Sequence, residues 1–100
     1  MIKARNKVLV RVSELTGIPS DDILGTSRMQ HITIARSLLA WALTYLLGYT
    51  TTQAGILMRR HSTTIVYLRK LLTTAIRLPM DVVLIMEDLK EFTKLWTTKK

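Results

Sequence analysis

The chain has no cysteine among its 100 residues. Disulfides and thiolate metal sites are therefore excluded, and the composition fits a reducing compartment. Glycine is scarce and scattered: Gly17, Gly25, Gly48 and Gly55 stand apart, and no glycine-rich loop precedes a helix to cradle a phosphate. His31 and His61 lie far apart, and neither has an acid nearby at metal-ligand spacing. The most apolar stretch, Ser37 to Tyr49, falls short of the ~20 residues that a membrane-crossing helix needs. Lys3, Arg5 and Lys7 have no apolar segment behind them, so the N-terminus does not read as a secretory signal. A cytoplasmic protein is expected.

The most informative absence is that of negative charge. Lysine and arginine total 15 against 7 acids, a formal net charge of +8. All the acids lie toward the two ends: Glu14, Asp21 and Asp22, then Asp81, Glu87, Asp88 and Glu91. Between Asp22 and Asp81 stand Arg28, Arg36, Arg59, Arg60, Arg69, Lys70 and Arg77, with no acid among them. A paired-carboxylate site would need the two ends to meet. So long a stretch of one sign points instead to a polyanion, most directly a nucleic acid. The expectation is a non-enzymatic protein with no cofactor and no metal.

What is present is a helical pattern. With 48% hydrophobic residues, the chain can build one core without staples. The spacing predicts an all-α, single compact domain of about six helices. Residues 2–16 read as a helix with Ile2, Leu9, Val12 and Leu15 inward, although Val8, Val10 and Val12 also alternate as in a strand. Gly17 and Pro19 end it. Ser20 is expected to cap a short helix with Asp21 and Asp22 in its first turn and Ile23 and Leu24 inward. Gly25 closes it, and Thr26 to His31 form a linker. From Ile32 to Leu47 runs a helix apolar on most sides through Leu38, Leu39, Ala42, Leu43, Leu46 and Leu47, widened by Trp41 and Tyr45. Its narrow polar strip is Thr33, Arg36, Ser37 and Thr44. Such a helix should be the central post, with Trp41 in the core rather than a platform for bases.

Gly48 to Lys70 reads as two helices and a tight basic turn, a helix-turn-helix. Thr50 stands at an N-cap position with Gln53 three residues on, the capping-box spacing. The second helix should run from Ser62 to about Ile76. Its inner stripe is Ile65, Leu68, Leu72 and Ile76, flanked by Leu71 and Ala75. Its outer side is Thr63, Val66, Tyr67, Lys70, Thr73, Thr74 and Arg77. Leu78-Pro79 breaks the chain, and Asp81 can cap a last helix carrying Val82, Ile85, Met86, Leu89, Phe92 and Trp96 at helical spacing. The run Arg59-Arg60-His61-Ser62-Thr63-Thr64 offers guanidinium, hydroxyl and methyl groups suited to phosphates and base edges, and taken alone it equally fits an ordinary capped helix start with a solvated charge cluster.

From about Val12 to Leu71 these features resemble the C-terminal DNA-binding domain of DnaA, the bacterial chromosomal replication initiator. GIPSDDILG matches the family's "I-x-x-x-D-L-L" turn, and Ala35-Arg36 its "A-R-Q" helix start. Thr50 to Gly55 stands for "S-x-x-E-I-G", Arg60 to Thr64 for "R-D-H-[ST]-T-V", and Arg69-Lys70-Leu71 for "R-K-I". The turn is shorter than the family's "F-G-G-R-D-H", Arg60 replaces an acid, and Val66 falls near the family's second His. The resemblance implies a DnaA-like fold, similar also to the Trp repressor, and double-stranded DNA as partner. It implies base contacts by His61, Ser62 and Thr63. Arg28 and Arg36 match backbone or minor-groove positions, and Arg69 and Lys70 positions near the duplex backbone. Arg59, Arg60 and Thr64 complete the expected DNA-binding set on charge and on place in the motif. One hundred residues leave no room for the initiator's ATPase domain, so a free-standing module is expected, acting in control of replication initiation or of transcription. The alternative is a protein-interaction module in which the amphipathic helix at residues 81–96 serves a homodimer or a partner rather than the core.

Overall fold

The computed structural model describes residues 1–73 and 78–97, the last two by backbone alone. The expectations for Thr74, Ala75, Ile76, Arg77 and the Trp96 side chain lie outside the described residues. Six helices follow in order: α1 Ile2–Thr16, α2 Ser20–Ile23, α3 Gln30–Trp41, α4 Thr51–Met58, α5 Ser62–Thr73 and α6 Met80–Thr97. A π-helical turn, Ala42–Leu46, prolongs α3, and the described residues contain no strand. The radius of gyration is 12.4 Å, against the ~13 Å expected of a compact domain of this length.

The valine alternation near the N-terminus resolves as helix. Val8 and Val12, four apart, are buried with Leu9, while Val10 faces out. Ile2 is exposed, contrary to expectation, because the first turn of α1 reaches past the core. Gly17 takes φ 76° and returns its N–H to the Ser13 carbonyl at 2.8 Å, closing α1 in the left-handed conformation glycine adopts without strain. Pro19, not Ser20, occupies the N-cap of α2, and no side chain caps that helix. The Pro19 carbonyl instead accepts the N–H groups of Asp22 and Ile23 at 3.0 and 3.1 Å. The ring's fixed φ already suits an extended entry into the helix.

The central post is present, and it starts at Gln30, two residues before its expected beginning. Ala35, Leu38, Leu39, Ala40, Trp41, Ala42 and Leu43 are all buried. The supposed polar strip is largely internal. Ser37 is fully buried, and its hydroxyl donates to the Thr33 carbonyl at 2.9 Å. Thr44 likewise donates to Ala40 at 2.9 Å. In the π turn the Leu47 N–H reaches back five residues to Ala42 at 3.0 Å. That wider turn shifts the helical phase, and Tyr45, expected on the apolar side, comes out to solvent. Gly48 at φ 76° ends the segment.

The last helix belongs to the core. Val82, Leu89 and Thr93 are buried on its inner side, with Ile85 and Met86 partly so. Arg11 of α1 forks onto Asp88 through two bonds of 2.9 Å, and its guanidinium stands 5.3 Å from the centroid of the Phe92 ring. The hydrogen bond to Asp88 raises the Arg11 pKa, against a smaller opposing effect of burial. Asp81 sits inside the first turn of α6 rather than before it, and its Oδ1 accepts the Val82 N–H at 3.0 Å.

Candidate nucleic-acid interface

The geometry of the central stretch begins with the Thr50 cap. The Gln53 N–H donates to Thr50 Oγ1 at 3.1 Å, and the Thr50 N–H donates to Gln53 Oε1 at 2.9 Å, so both arms of the capping box close. The helix it starts, α4, ends where Arg59 takes φ 59° and ψ 42°, the left-handed position usually held by glycine. The next N–H, of Arg60, returns to the Gly55 carbonyl at 2.8 Å. This close return requires Gly55 itself: a Cβ there would stand 2.6 Å from the Arg60 carbonyl oxygen. After the turn Arg59–His61, the His61 carbonyl accepts the N–H groups of Thr64 and Ile65 at 3.0 and 3.2 Å and so anchors α5.

The inner side of α5, Ile65, Leu68 and Leu72, is buried against the core. Thr63, Tyr67 and Lys70, four and three residues apart, share the opposite side and are exposed, with Val66 half-buried beside them. Tyr67 keeps 59% of its surface exposed. It was absent from the expected set of site residues. The signal for it in the sequence is its spacing from Thr63 and Lys70, which puts an aromatic side chain on the same outer face.

The expected residues divide into three groups. His61 and Thr63 are exposed at the start of α5, with Ser62 and Thr64 half-buried there, and Arg59 is exposed on the turn. Lys70 is exposed in the last turn of α5, and Arg28 is exposed on the linker between α2 and α3. Two arginines are partly engaged. Arg60 is half-buried and donates through Nη2 to the Gly25 carbonyl, which fastens the turn to the linker. Arg69 lies 5.1 Å from the centroid of the Tyr45 ring, drawn toward the π turn and away from the outer face.

Arg36 departs furthest from expectation. Only 6% of it is exposed. Its Nε donates to Ile23 O at 2.8 Å, Nη1 to Ser27 O at 2.8 Å and Nη2 to Asp22 O at 3.1 Å. The side chain thus binds the end of α2 and the linker to α3, and the backbone or minor-groove contact expected of it has no exposed group to make it. Burial first, and the neighbouring Arg60 charge second, lower its pKa. Arg36 and Arg60 together fix the course of the linker, and so the place of Arg28 relative to α5.

A groove of about 940 Å³ runs between α3 and α5, with Arg28, Arg60, Thr64, Tyr67, Leu71 and Leu78 in its walls. The ion pairs of α1 and α6 lie elsewhere: Arg11 with Asp88 at 2.9 Å, Lys90 with Glu87 at 3.7 Å and Lys94 with Glu91 at 3.6 Å. Among the described residues no three His, Asp or Glu side chains gather as metal ligands, and no helix is long and apolar enough to cross a membrane. No protein-family model matches the chain, and no curated protein matches it in sequence.

Proposed function

We propose that this protein binds double-stranded DNA without catalysing a reaction, with α4 and α5 acting as a helix-turn-helix and the outer face of α5 entering the major groove. The observation that carries this reading is the exposed face of Thr63, Tyr67 and Lys70, led by the exposed Arg59 and His61, within a stretch that holds no acid from Ile23 to Met80. The sequence resemblance to the DnaA C-terminal domain supports it, as does the capping box at the position that resemblance marks. In this arrangement Thr63 and Tyr67 face base edges, Lys70 and Arg59 face phosphates, and Arg28 reaches the backbone from the linker. Arg36 and Arg60 act behind them as positioning residues.

Fluorescence anisotropy with a labelled duplex tests the proposal. Affinity should fall linearly in log–log form with salt, with a slope of about −0.9 per phosphate contacted. Lys70→Ala should weaken all duplexes alike. Thr63→Ala and Tyr67→Ala should erode discrimination among sequences, a good base contact being worth ~1–3 kcal/mol. Selection from a random duplex pool then defines the site, with control of replication initiation or transcription as the setting. Binding that ignores both salt and these substitutions refutes the reading.

A second reading has its own observation. Met80, Leu84 and Leu95 of α6 are exposed, although the inner side of that helix is in the core. They offer an apolar edge to a second copy or a protein partner. Light scattering on Leu84→Gln decides: a dimer that becomes monomeric supports this edge, and an unchanged monomer removes it.

A further inference from the structure

The groove between α3 and α5 has two unlike ends. At the linker end, Arg60 is fastened to the Gly25 carbonyl and Arg36 to the Ser27 carbonyl, which gathers Arg28, Arg36 and Arg60 around one corner. Further along α5 its walls become Leu68, Leu71 and Leu72, faced by Leu78 and Val82 at the entry to α6. From Thr64 to Leu72, the α5 residues in its wall, the helix rises ~12 Å, so the groove passes from cationic to apolar over about that length. No acid lines the groove. Its volume, about 940 Å³, lies at the upper end of the range of ~300–1,000 Å³ for small-molecule sites.

Packing does not account for the cationic end, and at the apolar end, where Leu68 and Leu72 are buried in the core, it leaves Leu71 and the half-buried Leu78 facing the groove. The three hydrogen bonds of Arg36 go to neutral carbonyls, so the clustered guanidinium charges have no counter-ion in the groove wall. Leu71 is exposed on the same side as Tyr67. A free phosphate would answer the charges and leave the leucines wet. A neutral apolar ligand would cover the leucines and leave the charges uncompensated.

We propose that this groove is a binding site for a small amphipathic anion, a medium-length acyl carboxylate, its headgroup held by Arg28 and Arg60 and its tail laid along Leu71 and Leu78. Arg28 supplies most of the N–H donors and Arg60 those left over from its bonds to the Gly25 and Arg59 carbonyls, whereas Arg36 is buried and bonded to the Asp22, Ile23 and Ser27 carbonyls. The site stands independently of the duplex reading, because it needs only the groove.

Isothermal titration of the full chain with decanoate, decanol and inorganic phosphate tests it. Decanoate should bind at one site per chain, with decanol and phosphate each about tenfold weaker or more, the scale of one charge-assisted contact. Arg28→Gln should bring decanoate down to the affinity of decanol. Leu71→Ser should weaken decanoate and leave phosphate unchanged. Both positions are exposed, so neither change disturbs the core. Thr52→Ala, at an exposed position of α4 outside the groove, should change nothing. Equal affinity for decanoate and decanol overturns the proposal, as does equal affinity for decanoate and phosphate, or several weak sites indifferent to Arg28→Gln. An acidic peptide that binds the groove while decanoate does not overturns it in favour of a protein partner.

Discussion

Replacing Gly55 by alanine sets two effects against each other, and the structure decides between them. Within a helix the change normally stabilises by about 1 kcal/mol, because alanine is the better helix former. Here the new Cβ would stand 2.6 Å from the Arg60 carbonyl oxygen, 3.4 Å from the Ser62 nitrogen and 3.5 Å from the His61 carbonyl carbon. All three neighbours are backbone, so no flexible side chain can swing aside. The turn must move, and with it the 2.8 Å bond from the Arg60 N–H to the Gly55 carbonyl. Overpacking of this kind costs about 1–3 kcal/mol, and loosening the hydrogen bond adds about 1 kcal/mol. The net expectation is a loss of about 1–3 kcal/mol, and in a domain of this size each kcal/mol lowers the melting temperature by several degrees. Thermal and urea unfolding followed by circular dichroism measure it. Thr52→Ala, at an exposed position of the same helix, is the control and should leave stability within about 0.5 kcal/mol. A Gly55→Ala protein as stable as the parent would refute the claim that the turn rests against this glycine.

Arg59→Gly should raise stability by about 0.5–1 kcal/mol, since a side chain at φ 59° is strained by about 1–2 kcal/mol and glycine recovers part of that. The same variant should bind duplex more weakly, so unfolding midpoint and anisotropy should move in opposite directions. A lower midpoint would count against the strain. Arg36→Ala leaves the carbonyls of Asp22, Ile23 and Ser27 without their donor and should cost about 3 kcal/mol, read by urea unfolding. Arg28→Ala should leave stability unchanged and lower duplex affinity instead; the reverse pattern would exchange the roles assigned to the two arginines. Leu89→Ala, at a fully buried position, should cost about 3 kcal/mol, while Leu84→Ala on the exposed edge of α6 should stay within about 0.5 kcal/mol. Equal effects at the two positions would mean that α6 does not pack as described.

Helix placement was legible from most short-range patterns, although Pro19 rather than Ser20 takes the N-cap of α2 and Asp81 lies inside α6 rather than before it. The Thr50–Gln53 box, the Gly17 and Gly48 stops and the inner stripe of α5 as far as Leu72 are short-range patterns with one structural solution, and each has it. The larger differences occur where the answer depends on what lies across the fold. Thr33, Arg36, Ser37 and Thr44 read as a solvated strip because their side chains are polar. Yet Ser37 and Thr44 satisfy themselves one turn back on their own helix, and Arg36 finds three carbonyls on α2 and the linker. No sequence window contains that second arrangement. Tyr45 failed for a different reason: the π turn shifts the helical phase, and a wheel drawn at regular spacing places the ring on the wrong side.

Arg36 also changes how the acid-free stretch should be read. Net charge counts every guanidinium equally, but a cation can meet a polyanion only if it retains exposed donors. Arg36 is buried with three bonds to the fold, Arg60 has engaged the Gly25 and Arg59 carbonyls, and Arg69 is drawn to Tyr45. Among the described residues of this stretch, the cations that are exposed are Arg28 on the linker, Arg59 on the turn and Lys70 on α5. Arg36 and Arg60 determine where Arg28 stands, because the linker that carries it is held by Arg36 from one side and by Arg60 from the other. Substituting a positioning arginine should therefore alter duplex binding through the exposed ones, and a double-mutant cycle exposes this. Arg60→Ala and Arg28→Ala should be strongly non-additive in duplex affinity, because once the linker is released Arg28 has little left to lose. Additive losses would mean that Arg60 touches the duplex in its own right, and that the linker keeps its course without it.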